Sequence, residues 1–93
     1  YKLNNIYIKL MEECGELVQA CAKVLKYRDE EWLDRLEQEC GDVMAFIHLM
    51  QEKGIISNEA ITRKKWSTIA KYGKLFHDER GYNTVQNKEY KDG

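Results

Sequence analysis

Two short segments of the chain repeat nearly the same phrase, and each contains a pair of acids three residues apart. The first reads EECGEL over residues 12–17, and the second reads QECGDV over residues 38–43. In an α-helix, residues three apart lie on one face with their Cβ atoms about 5–6 Å apart. Each segment therefore predicts two carboxylates that point the same way, Glu13 with Glu16 and Glu39 with Asp42.

Four carboxylates in one place favour a metal site. Buried like charges either raise their own pKa values or attract cations, and hard divalent cations such as Mg²⁺ and Mn²⁺ prefer oxygen ligands. Two metal ions about 3.5–4 Å apart would fit such a site and match the arrangement used for phosphoryl transfer. A single acid pair on a helix is more often a solvated surface feature, so the hypothesis depends on both pairs meeting.

The apolar residues around both segments predict two amphipathic helices that position the acids. A first helix is placed over about residues 3–27, and a second runs from the N-cap Asp29 to about Lys53, with Gly54 as its C′ glycine. One stripe on the first helix has the spacing of a single face. Its members are Ile6, Leu10, Leu17, Cys21 and Val24. Glu13 interrupts this stripe and is therefore predicted to point inward.

The rest of the chain predicts further helix and no strand. Ser57 or Asn58 caps a third helix, Gly73 interrupts it, and a short fourth helix is predicted over residues 74–80. No segment shows the alternation of a half-buried strand. The predicted fold class is therefore all-α, an antiparallel helical bundle of about three to four helices.

The size of the chain predicts one domain that is completed by oligomerisation. The domain is placed over residues 1–81 and a polar C-terminal tail over residues 82–93. Two long helices with a short connection lie antiparallel, and a chain of 93 residues gives their apolar faces thin cover. A homodimer or homotetramer is therefore expected to complete the bundle.

Each repeated segment contains a glycine at the same position. Gly15 and Gly41 both lie within a predicted helix, where glycine costs about 1 kcal/mol relative to alanine. Two glycines at matching places indicate a shared cause, and we expect them to allow the two helices to approach closely.

The overall composition narrows the range of partners. The net charge is −1, from 15 Lys and Arg against 16 Asp and Glu, so neither nucleic acid nor a membrane surface is predicted as a partner. No apolar run reaches the roughly 18 residues of a membrane span. Three cysteines without CxxC spacing indicate reduced thiols and a cytoplasmic location.

These motifs resemble those of the MazG-like family of all-α nucleoside triphosphate pyrophosphohydrolases. That family carries an ExxE motif on one helix and an ExxD motif on the next. Here they stand as ECGE over residues 13–16 and ECGD over residues 39–42, with 22 residues between them. The resemblance covers about residues 3–72. The chain departs from the family at Gln38, where relatives often have a second acid.

The resemblance implies an enzyme that uses Mg²⁺, or Mn²⁺ in its place, to convert a (d)NTP to the monophosphate and pyrophosphate. The metal ligands that it implies are Glu13, Glu16, Glu39 and Asp42. A metal-activated water would attack the α-phosphorus. The general base is either a motif acid such as Glu39 or Glu12 acting through a water. Glu12 lies about 100° around the helix from Glu13, and a solvated position suits it slightly better.

Basic and aromatic residues are candidates for the other contacts with the (d)NTP. Lys64 and Lys71 resemble basic residues that the family often carries before a tyrosine, here Tyr72, and they are the candidate phosphate ligands. Trp32 and Tyr72 are the candidates for stacking on the base. Most aromatic residues at helical spacing belong to a core, so each of these assignments competes with a packing role.

Alternatives of two kinds stay open. Within the same superfamily, the chain could be a dUTP- or dCTP-specific enzyme or a phosphoribosyl-ATP pyrophosphatase. In a different class, it could be a non-catalytic helical interaction module whose acids form a solvated patch.

Overall fold

A computed structural model describes residues 5–77 of the chain, which form three α-helices and no strand. Helix α1 spans Asn5–Tyr27, α2 spans Glu30–Glu52 and α3 spans Asn58–Tyr72. The predicted all-α class is confirmed for these residues. The predicted fourth helix is wrong over its described part, because residues 74–77 form turns. Its remainder and the predicted tail lie outside the described residues.

The helix ends follow the capping signals in the sequence. The Asp29 carboxylate accepts a hydrogen bond of 3.0 Å from the backbone N–H of Trp32, and so caps α2. The Ser57 hydroxyl accepts a bond of 3.1 Å from the N–H of Ala60 and caps α3. Gly54, after α2, has a φ of 75°, a left-handed conformation that glycine adopts at little cost.

The chain divides into two compact units, Tyr1–Ile55 and Ile56–Gly93. In the first unit, α1 and α2 pack against each other. Only Arg28 and Asp29 connect them, so the two helices fold back on each other as an antiparallel hairpin. Helix α3 belongs to the second unit.

The inner face of α1 differs from the predicted stripe at one position. Ala20 is 1% exposed and Val24 is 7% exposed, whereas Cys21 is exposed to solvent. The inner row of α1 therefore has alternating spacings of four and three. Its members are Ile6, Leu10, Glu13, Leu17, Ala20 and Val24. The sequence prediction was wrong about Cys21 because a small alanine, rather than the larger cysteine, meets α2.

A second apolar row on α1 lies exposed. It is displaced by one residue, or about 100°, from the inner row, and its spacings of four, three, four, three and four match the a and d positions of a heptad repeat. Its members are Tyr7, Met11, Cys14, Val18, Cys21 and Leu25. Met11 is 70% exposed, Val18 68% and Leu25 57%. We call this set the outer row.

The two motif glycines do not explain the packing of the hairpin. A Cβ atom built at Gly15 or Gly41 would meet nothing within 4 Å. The hypothesis that these glycines allow α1 and α2 to approach closely is therefore wrong, since an alanine would fit at either position.

None of the helices in residues 5–77 combines the length and the apolar character that crossing a bilayer requires.

Candidate metal centre

Three of the predicted acids meet between the two helices of the hairpin. Ligand oxygens of Glu13 on α1 and of Glu39 and Asp42 on α2 all lie within 4.8 Å of one another. Glu13 reaches this position because it occupies the inner row between Leu10 and Leu17. We call these three residues the acid cluster.

Two acids of the cluster are partly withdrawn from water, and nearby cations compensate them only in part. The side chain of Glu13 is 12% exposed. One carboxylate oxygen of Glu13 and one of Glu39 are buried without a hydrogen-bond partner in residues 5–77. Burial raises the pKa of both carboxyls above their usual 4.5, and the neighbouring charges of Glu16 and Asp42 raise it further. An added cation would relieve both the burial cost and the repulsion.

Of the other two predicted acids, Glu16 lies at the edge of the cluster and Glu12 lies outside it. The charge of Glu16 acts on both Glu13 and Glu39, and protonated Glu39 can donate a hydrogen bond to Glu16. Glu12 is instead paired with Lys9, whose ammonium lies 3.3 Å from Glu12 and 3.8 Å from Glu13. This hydrogen bond with Glu12 raises the pKa of Lys9. The structure therefore places Glu16 beside the cluster and leaves Glu12 outside it.

The residues of the cluster fit a hard divalent cation. All the donors are carboxylate oxygens, which Mg²⁺ and Mn²⁺ prefer, and two of these oxygens have no other partner in the described part of the chain. The three ligand oxygens lie within 4.8 Å of one another. Adjacent ligands of one octahedral Mg²⁺ are about 3 Å apart, so the three side chains would have to move closer together to share one ion.

A cavity of about 450 Å³ opens beside the acid cluster, between α1 and α2. It is lined by Glu16, Gln19, Ala20, Trp32, Arg35, Gln38 and Glu39. We call it the Trp32 cavity. The ring of Trp32 stacks on that of Tyr27, with their centroids 6.5 Å apart. The predicted base-stacking residue Trp32 thus lies in the same cavity as two of the predicted metal ligands, Glu16 and Glu39.

Arg35 was not among the predicted site residues. Its guanidinium carbon lies 5.7 Å from the centroid of the Trp32 ring, and its charge lowers the pKa of Glu39, partly opposing the rise from burial. The signal was present in the sequence, because Arg35 lies four residues before Glu39 and so one turn away on the same face.

The remaining predicted contacts lie on α3. Lys64 lines an apolar cavity of about 710 Å³ formed by residues of the second unit. The ammonium of Lys71 lies 5.2 Å from the centroid of the Tyr72 ring, which lies 6.4 Å from that of Phe76. These three predicted residues thus form contacts within their own unit, and their roles toward a phosphate or a base stay predictions.

In comparisons with known proteins, no family model, curated protein or solved structure matches this chain. The resemblance to the MazG-like family therefore depends on the two acid motifs themselves.

Proposed function

We propose that the protein is a Mg²⁺-dependent nucleoside triphosphate pyrophosphohydrolase that converts a (d)NTP to the (d)NMP and pyrophosphate. The observation that carries the proposal is the meeting of Glu13, Glu39 and Asp42, with two carboxylate oxygens buried and without a partner in the described residues. A purely solvated acidic patch would give its carboxylates water instead of burying them. The two motifs that supply these acids are the ones that resemble the MazG-like family.

The proposed division of roles follows from the positions of the side chains. Glu13, Glu39 and Asp42 would hold the cation, with Glu16 as the fourth ligand at the edge of the cluster. When bound, Mg²⁺ or Mn²⁺ would supply charge neutralisation and a more acidic water. Glu39 is also the proposed proton acceptor for the water that would attack the α-phosphorus. Glu12 is less suited to this task, because it is paired with Lys9 outside the cluster.

The direct test is release of pyrophosphate from each of the eight common (d)NTPs with and without Mg²⁺. We expect Mg²⁺-dependent release from at least one substrate. The Glu39→Gln variant is expected to lose at least about a hundredfold in rate, because it removes a charged metal ligand at the centre of the cluster. Glu37→Gln, an exposed acid on the same helix, is the matched control and should retain activity.

The same panel separates the alternatives. Exclusive hydrolysis of dUTP or dCTP would identify the narrower enzymes, and activity on phosphoribosyl-ATP alone would identify the third member of the superfamily. If no substrate is hydrolysed and Mg²⁺ produces no thermal shift, the protein is the non-catalytic helical module and the proposal is wrong.

We further propose that a second copy of the chain covers the outer row. A row with a and d spacing packs best against another such row, knobs into holes, and this one contains no charged residue to select a different partner. Pairing two hairpins would produce a four-helix bundle, the usual way in which such helices bury their faces. The homodimer is the proposed state, and a homotetramer would need an additional surface.

A further inference from the structure

We infer that the Trp32 cavity is the nucleotide-binding pocket of the protein and that Arg35 binds a phosphate group there. The inference relies on the proposed function for the reaction, but it concerns binding and can be tested without catalysis. It also moves the principal phosphate contact from α3, where Lys64 and Lys71 were predicted, to the hairpin that carries the acids.

The cavity lies next to the acid cluster, and this position is the first support for the inference. Glu16 and Glu39 form part of both the cavity wall and the acidic site. A ligand held at the acids by a divalent cation would therefore extend directly into the cavity. Its volume of about 450 Å³ falls within the roughly 300–1,000 Å³ of pockets that bind small molecules.

The lining of the cavity matches the parts of a nucleotide. The ring of Trp32, which stacks on Tyr27, lines the cavity and provides an aromatic contact for a base. The amides of Gln19 and Gln38 can both donate to and accept from a polar edge. Two cations flank the ring, since the Lys23 ammonium lies 5.6 Å and the Arg35 guanidinium carbon 5.7 Å from its centroid. An aromatic surface, amides, a cation and metal-binding acids together describe a ligand with both a planar group and phosphates.

Arg35 is available for such a ligand. Glu31 and Glu39 lie one turn before and after it, yet it forms no salt bridge within 4 Å in the described part of the chain. Its charge interacts favourably with that of Glu39. A divalent cation would neutralise the acid cluster and leave the planar guanidinium to bind phosphate in a bidentate manner. Phosphate binding at Arg35 is therefore expected to depend on the divalent cation.

The test measures binding of a non-hydrolysable nucleotide by the fluorescence of Trp32. The Trp66→Phe background leaves Trp32 as the single tryptophan of the chain. Purine and pyrimidine α,β-methylene dNTP analogues are titrated with and without Mg²⁺. We expect at least one analogue to change the fluorescence, and only with Mg²⁺. Arg35→Met should weaken that binding by at least about tenfold, as expected for the loss of a charge-assisted hydrogen bond.

A second measurement separates binding from a merely structural role. Binding of Mg²⁺ alone, followed by calorimetry, should be unchanged or tighter in Arg35→Met, because removing a positive charge beside the acids favours a cation. Arg63→Met on α3 is the matched control and should bind both ligands normally. Weakened binding of Mg²⁺ itself would show that Arg35 only organises the acids and would overturn the inference.

The two proposals fail in different ways. Analogue binding that depends on Arg35, without pyrophosphate release from any (d)NTP, would refute the proposed reaction and retain the pocket. Hydrolysis with an unchanged KM in Arg35→Met, or a loss of binding only in Lys64→Met or Lys71→Met, would retain the reaction and overturn this inference. An analogue that does not bind the Mg²⁺-loaded Trp66→Phe protein at all would overturn it as well.

Discussion

Glu13 and Glu39 are the residues whose environment departs most from that of a surface acid. Both are partly buried, both have an oxygen without a partner in residues 5–77, and both have a raised pKa, caused first by burial and then by neighbouring acids. A carboxyl group in this state either holds a proton or attracts a cation. At the proposed metal site, protons and Mg²⁺ would therefore compete for the same two side chains.

This competition predicts a pH-dependent effect of Mg²⁺ on stability. The pKa values of Glu13 and Glu39 in the folded protein lie above the unfolded value near 4.5. At pH values between the unfolded and the folded pKa, the metal-free folded state therefore binds more protons than the unfolded state. The contribution of these two acids to stability is therefore greatest below the unfolded pKa and is lost as pH rises through the folded values. Mg²⁺ binds the ionised forms, so its stabilisation should grow with pH.

Thermal unfolding with EDTA and with Mg²⁺, at pH 5 and at pH 8, checks this prediction. A hundredfold excess of Mg²⁺ over its Kd would add about 2.7 kcal/mol, and this gain should be clearly larger at pH 8. In the double variant Glu13→Gln with Glu39→Gln, the stabilisation by Mg²⁺ should no longer differ between pH 5 and pH 8. An equal Mg²⁺ effect at both would show that other groups bind the ion.

For single residues, the sequence predicted the direction of a side chain wherever the helical period determines which face of the helix it occupies. Glu13 interrupts an apolar stripe, and that alone predicts its inward position. The roles of Glu12 and Arg35 were harder to predict from the sequence, because they depend on contacts with other side chains. Glu12 turns to Lys9 one turn earlier on the same helix. Arg35 lines a cavity that forms only when α2 packs on α1.

At the scale of the helices, the structure changes the meaning of the repeated glycine. A methyl group added at Gly15 or Gly41 would have no neighbour within 4 Å, so neither glycine is required for the contact between α1 and α2. What remains is the ordinary cost of glycine within a helix.

Gly41→Ala is therefore expected to stabilise the metal-free protein by about 0.5–1 kcal/mol, because alanine restricts the unfolded chain and favours helix. Urea denaturation monitored by circular dichroism measures the change. Gly54→Ala is the contrasting variant. This variant should destabilise the protein, because Gly54 has a φ of 75°, a conformation that alanine adopts only with strain. A destabilised Gly41→Ala protein would indicate that another molecule approaches this position.

The helices and their capped ends were largely predictable, whereas the face that α1 buries was predicted only in part. Asp29 and Ser57 act through local hydrogen bonds that sequence alone can indicate. The apolar pattern does not distinguish a face that meets the neighbouring helix from one that does not. For this reason Cys21 was assigned to the inner face, although it belongs to the outer row.

For the whole molecule, the main feature is how little the described residues bury. Their buried apolar side chains are Ala20, Val24 and Met50, a small core for a chain of this length. The outer row adds a continuous exposed apolar surface along α1. Both observations support the proposal that a second copy completes the fold. The sequence predicted oligomerisation from the thin cover of the helices, but it did not predict which face would be used.

Val18→Glu tests the proposed dimer, because it places a charge at the middle of the outer row. We expect the wild-type protein to sediment as a dimer and the variant to dissociate, with a lower melting temperature. Ser67→Glu, which adds the same charge to an exposed position on α3, should remain dimeric. Analytical ultracentrifugation measures the mass of each variant.

Thiol labelling provides a second measurement where Val18→Glu folds poorly. Cys14 and Cys21 belong to the outer row and would be shielded in the dimer, so diluting the wild-type protein below its dimer Kd should increase their reaction with maleimide. A monomeric wild-type protein with freely reactive thiols at every concentration would contradict the proposal, and a tetramer would show that a further surface is used.

The two-residue connection between α1 and α2 also favours formation of the hairpin within a single chain. Closing so short a loop costs little chain entropy, and Tyr27 and Trp32, which stack across it, are only five residues apart. The hairpin can therefore form from its closed end at a rate independent of protein concentration. Association of two copies is a bimolecular step that slows on dilution. In the proposed dimer, the three acids of each site would thus come from one chain and would not need the partner in order to meet.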